Sequence, residues 1–135
     1  MNRRSFLLSS AAAAAIATTS STSHATEGGN QLPPKNLIYT KDNAGKWEAK
    51  KGSHLPVIEL TNRRVKIITK HSQSDDHYIV RHTLLLADGT EIGSTTFSPE
   101  DKPISEHELP ESYTGSLFAT SFCNRHDLWL TEITV

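Results

Sequence analysis

The chain has 135 residues, and its 14 Lys and Arg nearly balance 15 Asp and Glu, for a formal net charge of -1. This charge argues against a protein that binds nucleic acid or an anionic membrane, because such binding needs a basic excess. The single Cys, Cys123, excludes an intramolecular disulfide framework. Seven His residues beside that one Cys are the unusual feature of the composition.

Residues 1–25 predict an export signal of the twin-arginine type. Arg3 and Arg4 precede an apolar stretch rich in Ala, and Ser23-His24-Ala25 forms a small-x-small cleavage site. The alternatives are an ordinary secretory signal and a retained N-terminal anchor. Twin-arginine export carries proteins that are already folded, often around a cofactor, so this signal favours a metal or cofactor loaded before export. We expect a periplasmic protein with no membrane association once the signal is removed.

The rest of the chain predicts an extended N-terminal segment over 26–46 and one β-rich domain over 47–135. No window of the domain has the apolar period of a helix, and Asp88-Gly89 is a hairpin signal between two apolar runs. Six or seven short strands indicate an all-β fold, an immunoglobulin-like antiparallel β-sandwich of about seven strands. The predicted strands are 55–60, 64–70, 78–87, 90–97, 116–122 and 128–135.

Three His residues lie at the ends of predicted strands. His54 precedes the first strand, His71 follows the second, and His77 precedes the third. In one straight strand His71 and His77 would lie about 20 Å apart, too far to share a metal ion. The polar residues 72–76 can form a turn that folds the chain back and brings these two imidazoles together.

Cys123 and His126 follow another predicted strand, with a spacing that lets a thiolate and an imidazole bind one metal ion. Each of these residues alone is better explained as a solvated His or a small buried Cys. Together with the three strand-end His they predict a metal site, since loops meet where strands end. We exclude His82, inside a predicted strand, and His107, which stands between two acids and is expected to be solvated.

These residues resemble the superoxide reductase family, which includes neelaredoxin and the iron-site domain of desulfoferrodoxin. The resemblance covers roughly 47–135 and rests on the His54-Leu55-Pro56-Val57 stretch, the spacing of the next two His, and Cys123-Asn124-Arg125-His126 followed by Trp129. It implies a seven-stranded sandwich and an enzyme that reduces superoxide to hydrogen peroxide at a mononuclear non-haem iron. Carried over by position, the implied iron ligands are His54, His71, His77, His126 and Cys123.

The sequence departs from the family pattern just before the first of these His. Many members carry a Glu-Lys pair there, of which the Glu binds the resting ferric iron and the Lys attracts superoxide, but this chain has Gly52-Ser53. Lys50, Lys51 and Glu48 are candidates to replace the pair, in superoxide attraction or proton delivery, or they are solvated surface charges. Asp127 stands where the family usually has Gly.

Other classes of function remain open. A copper electron carrier also combines a β-sandwich with His and Cys ligands, although four His exceed the usual two and the only Met is Met1. A non-enzymatic carrier module that holds zinc, or a vestigial site, is the third alternative. With one Cys there is no four-Cys iron domain, so the resemblance implies an unidentified external electron donor. The sequence leaves open whether the chain forms a homo-oligomer such as a dimer or tetramer.

Overall fold

The computed structural model describes residues 33–135. The predicted twin-arginine signal over 1–25 and the first residues after it lie outside the described residues and stay predictions. In the part that is described, no helix has the length and apolar character needed to cross a membrane.

The described chain forms two antiparallel sheets, which confirms the all-β sandwich. One sheet has three strands in the order β1-β2-β5, and the other has four in the order β4-β3-β6-β7. The turn at Asp88-Gly89 joins β3 to β4, as the hairpin signal predicts, and Gly89 takes a φ of 88°. The strands are β1 (Val57–Thr61), β2 (Arg64–Ile68), β3 (Ile79–Leu86), β4 (Glu91–Thr96), β5 (Ile104–Glu108), β6 (Ser116–Cys123) and β7 (Asp127–Thr134).

Alternate residues of both sheets form the core between them. Val65 and Ile67 of β2 pack with Leu84 of β3 and with Leu117 and Ala119 of β6, all fully buried. Burying one Leu or Ile side chain contributes about 1.5–3 kcal/mol. Because the strands place successive side chains on opposite faces, this core fixes which residues of β6 point inward, including those at its end.

The strand β5 and the position of His107 differ from the sequence-based expectation. The β5 sequence holds two acids and a His in five residues, so its period-2 pattern is hidden. His107 is not solvated as expected: it is half-buried, its ring fills the space where a side chain at Gly93 would stand, and its Nε2 is buried without a hydrogen-bond partner in the described part of the chain.

Two short helices precede β1, where the sequence shows no helical period. A 3₁₀-helix covers Gly45–Lys50, and α1 covers Lys51–His54. Together they make about two to three turns, too short for an apolar stripe to recur. They nevertheless matter for function, because α1 ends on His54, and this residue is 1% exposed.

The segment that leads into the 3₁₀-helix, together with the first three residues of that helix, lies along β7 and contributes to the core. We call residues 36–47 the strap. Tyr39 is fully buried, its N–H donates to the carbonyl of Leu128, and its own carbonyl accepts from the N–H of Leu130. Its ring packs against Trp129 with 5.3 Å between centroids. The strap is therefore held on β7 by backbone and side-chain contacts.

A buried polar group joins the two sheets below the strand ends. His82 of β3 is fully buried, with Nε2 2.8 Å from the Thr69 hydroxyl and Nδ1 2.9 Å from the Ser105 hydroxyl. Thr69 Oγ1 also lies 2.8 Å from the hydroxyl of Ser121 in β6. Both ring nitrogens of His82 thus have neutral partners, which suits an uncharged imidazole.

His82→Gln is expected to remove part of the acid sensitivity of folding. Burial, and second the neighbouring His107, lower the pKa of His82 to about 4 from its usual 6.5. Between these pH values the unfolded chain binds a proton that the folded chain excludes, so stability falls as the pH drops from about 6.5 to about 4. The contribution of His82 is about 3 kcal/mol.

Urea unfolding of both proteins at about pH 7.5 and about pH 4 measures this effect. The free energy of unfolding of the wild type should fall more than that of the Gln variant, so the difference between them narrows toward pH 4. A difference that is independent of pH would show that His82 does not carry the effect.

Candidate metal centre

His71 and His77 lie on the connection between β2 and β3. The N–H of Ser74 donates to the carbonyl of His77 at 3.0 Å, and the N–H of His77 donates back at 3.1 Å, which closes a tight turn. The turn reverses the chain, so that His71 Nε2 lies 3.1 Å from His77 Nε2. The structure therefore brings these two imidazoles together in the way that the polar residues 72–76 predict.

Cys123 and His126 lie at the β6–β7 turn, which is tied to the His71–His77 turn by Asn124. The side-chain amide of Asn124 accepts from the N–H of Tyr78 at 3.0 Å and donates to the carbonyl of Asp76 at 3.2 Å. Cys123 Sγ lies 3.7 Å from His126 Nδ1. The two loops that carry the candidate ligands are thus fixed to each other by one amide.

The five candidate ligands lie close together. His126 Nδ1 lies 2.9 Å from His77 Nε2 and 3.1 Å from His54 Nε2, which continues the contact between His77 and His71. The ligand atoms of His54, His77, Cys123 and His126 all lie within 4.8 Å of one another. The structure therefore brings the ligand atoms of these four residues together, and His71 lies beside them through its contact with His77.

The nitrogen atoms have the spacing that a metal ion needs. Neighbouring nitrogen atoms lie 2.9–3.1 Å apart. Two nitrogen atoms about 3 Å apart that bind one ion at a right angle lie about 2.1 Å from it, which matches a metal–imidazole bond of about 2.0–2.1 Å. Three imidazole nitrogens cannot all donate hydrogen bonds to one another at such distances, so the arrangement is better suited to a shared cation than to hydrogen bonding. The residues present fit a metal ion bound by four nitrogens and one sulfur.

Two of the imidazoles are oriented by oxygen atoms on the side away from this point. His54 Nδ1 lies 3.1 Å from the carbonyl oxygen of Lys50, and His71 Nδ1 lies 3.0 Å from Gln73 Oε1. A carbonyl oxygen only accepts, and Gln73 Oε1 also accepts from the N–H of Ile79 at 2.8 Å. The Ser53 hydroxyl lies 2.8 Å from His54 Nδ1, but it donates its own hydrogen to the Lys50 carbonyl at 3.2 Å and is left to accept from the ring. Each Nδ1 therefore carries the proton, and each Nε2 presents a lone pair to the site.

Burial keeps the four imidazoles uncharged, as metal ligands must be. Desolvation, followed by the charge of His71, lowers the pKa of His54 to about 4. Desolvation is also the main cause that lowers the pKa of His71, His77 and His126. The site therefore holds neutral nitrogen donors at neutral pH.

The sulfur is shielded from solvent, whereas three of the four imidazoles are partly exposed. Cys123 is fully buried in a small apolar cluster with Ile79 and Phe97. In contrast, His71, His77 and His126 are partly exposed. A small molecule can therefore approach the imidazoles from solvent, while the thiol stays shielded by apolar side chains.

The three charged candidates before His54 do not behave alike. Lys51 forms an ion pair with Glu48, three positions earlier, and the Glu48 side chain is 67% exposed. Lys50 takes part in none of the ion pairs of residues 33–135. Its charge is among the secondary causes, after desolvation, that lower the pKa of His71, His77 and His126. Of the three, Lys50 is thus the one whose charge acts on the histidines of the site.

Sequence reasoning missed three residues that support the ligands. Gln73 orients His71, and Asn124 joins the two ligand-bearing turns. The carboxylate of Asp127 accepts from Trp47 Nε1 at 2.9 Å. Asn124 lies inside the stretch that carries the family resemblance, and Asp127 departs from the family pattern. The sequence could therefore have drawn attention to both positions. Nothing in the sequence marks Gln73.

Comparisons with known proteins agree with this geometry. Residues 44–132 match the desulfoferrodoxin family. A desulfoferrodoxin from Syntrophotalea carbinolica is 33% identical over 102 residues, 73% of this chain and 74% of the relative. The structure of the superoxide reductase (neelaredoxin) from Ignicoccus hospitalis is similar with a TM-score of 0.63 and 27% identity, over 73% of this chain and 94% of that one. A superoxide reductase from Giardia intestinalis shares the fold, with a TM-score of 0.57 and 23% identity, over 63% of this chain and 100% of that one.

Proposed function

This chain belongs to the desulfoferrodoxin family, and we propose that it is a superoxide reductase with a mononuclear non-haem iron site. The observation that carries the proposal is the convergence of four imidazole nitrogens around one point beside a buried thiol. His54, His71, His77, His126 and Cys123 would hold the iron. Superoxide gains one electron and two protons and leaves as hydrogen peroxide.

The donor set favours iron over the alternative metals. A blue-copper site uses two His and one Cys in a trigonal arrangement, whereas this site offers two further imidazoles. Structural zinc prefers four ligands in a tetrahedron, whereas this site offers four imidazoles and a thiol. Iron bound at this site would supply the single electron that superoxide needs.

The residues around the site provide charge, orientation and access. Four uncharged imidazoles and one thiolate leave a bound divalent cation with net positive charge, so a small anion is attracted to the partly exposed side. The carbonyl of Lys50 and the amide of Gln73 hold two imidazoles in the required tautomer. Ile79 and Phe97 keep water away from the sulfur of Cys123.

We propose that Lys50 takes the role of the Lys that the family usually places next to the first ligand. Lys50→Gln is expected to slow the reaction of the reduced protein with superoxide by about threefold to tenfold at low salt, because one charge that steers the anion is lost. The rate of the variant should also depend less on ionic strength. Stopped-flow or pulse-radiolysis measurement of the second-order rate constant tests this.

Lys51→Gln is the matched control, since it removes the same charge one position away. Lys51 is already paired with Glu48, so its loss should change the rate constant by less than twofold. Equal effects of the two substitutions would mean that the general charge of this region, and not Lys50, attracts the substrate.

We also propose that the protein acts in the periplasm with an external electron donor. The support is the sequence of residues 1–25, with Arg3 and Arg4 before an apolar stretch, and the single Cys of the chain. Fractionation of cells that express the full chain tests the location, with Arg3→Lys and Arg4→Lys combined to block the pathway. Protein that reaches the periplasm equally well with both Arg replaced would contradict twin-arginine export.

A further inference from the structure

Asp127 occupies a strained backbone position directly after a candidate ligand. It begins β7, follows His126, and has a φ of 66°. Residues other than Gly seldom adopt this left-handed conformation, although Asp tolerates it better than most. A Gly at this position would adopt the conformation without strain. A residue with a side chain at such a position needs compensating contacts.

The carboxylate of Asp127 binds the strap. Its Oδ2 accepts a hydrogen bond from Trp47 Nε1 at 2.9 Å and lies 3.2 Å from the Tyr39 hydroxyl, which also contacts the carbonyl of Asn36. The ammonium of Lys46 lies 3.7 Å from the same oxygen. One oxygen atom thus collects donors from three residues of the strap.

The strap in turn contacts His126. The Trp47 ring stands edge-on to the His126 imidazole, with 4.6 Å between centroids and 88° between planes. The carbonyl of His126 accepts from Trp129 Nε1 at 2.8 Å. Backbone and ring of this ligand are therefore both fixed by Trp side chains, and one of these side chains is anchored by Asp127.

His126 lacks the support at its second ring nitrogen that His54 and His71 have. The rings of His54 and His71 are oriented by oxygen atoms at Nδ1, on the side away from the site. His126 presents Nδ1 to the site, and its Nε2 has no hydrogen-bond partner among residues 33–135. Contact with Trp47 replaces the missing hydrogen bond.

We infer that Asp127 is a positioning residue, which acts through Trp47 to hold the His126 imidazole at the metal site. The inference rests on the metal site of the proposed function but not on the reaction with superoxide. It makes the strap part of the centre, although residues 36–43 precede the part of the chain that matches the family. A merely structural role of Asp127 would affect stability without affecting the metal.

The test uses the full chain loaded with cobalt(II), whose spectrum reports nitrogen and sulfur ligands without any turnover. Asp127→Gly relieves the backbone strain but removes the acceptor oxygen, and Trp47→Phe keeps a ring against His126 but removes the donor. Each variant is expected to shift the ligand-field bands of cobalt and to speed its loss to a chelator by about tenfold. Asp88→Asn, which removes a turn carboxylate at the opposite end of β3, is the control and should change neither.

The double variant, Asp127→Gly with Trp47→Phe, distinguishes this inference from a general loosening of the β6–β7 turn. If Asp127 acts through Trp47, the double variant should lose cobalt no faster than the worse single variant. Additive effects of the two substitutions, or a spectrum and rate of loss unchanged in Asp127→Gly, would overturn the inference. Failure of the wild type to bind cobalt through sulfur and nitrogen would instead overturn the metal site itself, and the inference with it.

Discussion

Replacing Cys123 by Ser is expected to abolish the thiolate-to-iron charge-transfer absorption of the oxidised protein and to remove its activity toward superoxide. Cys123 supplies the only sulfur in the chain apart from Met1, so no other thiolate can give that band. The residue is fully buried beside Ile79 and Phe97. Because Ser is slightly smaller and places a hydroxyl among apolar groups, we expect a loss of only about 1–3 kcal/mol in folding stability.

Absorption spectra of the purified, oxidised proteins test this, with circular dichroism to show that the variant is folded. Ser121→Ala is a useful control, since Ser121 is buried on the same face of β6 two residues earlier but contacts Thr69 and not the site. That variant should keep the absorption band. A band that persists in Cys123→Ser would mean that the sulfur does not bind the metal.

Replacing His77 by Ala is expected to weaken metal retention by at least about tenfold. His77 Nε2 contacts the ligand nitrogens of both His71 and His126, so its removal takes away a nitrogen donor from between them. Loss of a group that only orients a ligand already costs about 10–100-fold in metal affinity, and loss of a ligand should cost no less. Iron content after dialysis against a chelator measures the effect.

His107→Ala is the matched control for this prediction. His107 is also a partly buried His, but it lies on β5, packs against Gly93, and contacts none of the candidate ligands. Its replacement should leave the iron content at that of the wild type. Full iron occupancy in His77→Ala, or equal loss in the two variants, would show that the turn at 72–76 does not build a metal site.

The sandwich could be predicted because most of its strands show alternating apolar and polar residues and are bounded by turn residues. In β6, Leu117, Ala119 and Ser121 point inward while Phe122 is 41% exposed, and the same period can be read from the sequence. The strand β5 was not predicted because Glu106 and Glu108 interrupt its apolar character. The two helices before β1 were not predicted because each is too short to show the apolar period of a helix.

The candidate ligands could be predicted because they depend on spacing along the chain and on strand ends. The supporting contacts could not, since they depend on which distant side chains the fold brings together. Gln73 reaches His71 only because the 72–76 turn closes, and Asp127 meets Trp47 across 80 positions of sequence. Likewise the sequence does not distinguish Lys50 from Lys51. The structure does, because Lys51 pairs with Glu48 and the charge of Lys50 acts on three of the site histidines.

Mixing the fully reduced, iron-loaded protein with superoxide, while following iron oxidation, peroxide and dioxygen together, tests the central claim most directly. We expect about one peroxide formed per iron oxidised at a rate close to the diffusion limit of about 10⁸–10⁹ M⁻¹s⁻¹, with no dioxygen released. Release of dioxygen would indicate dismutation, and a protein that purifies with zinc and leaves superoxide unchanged would show that the site is not a superoxide reductase centre.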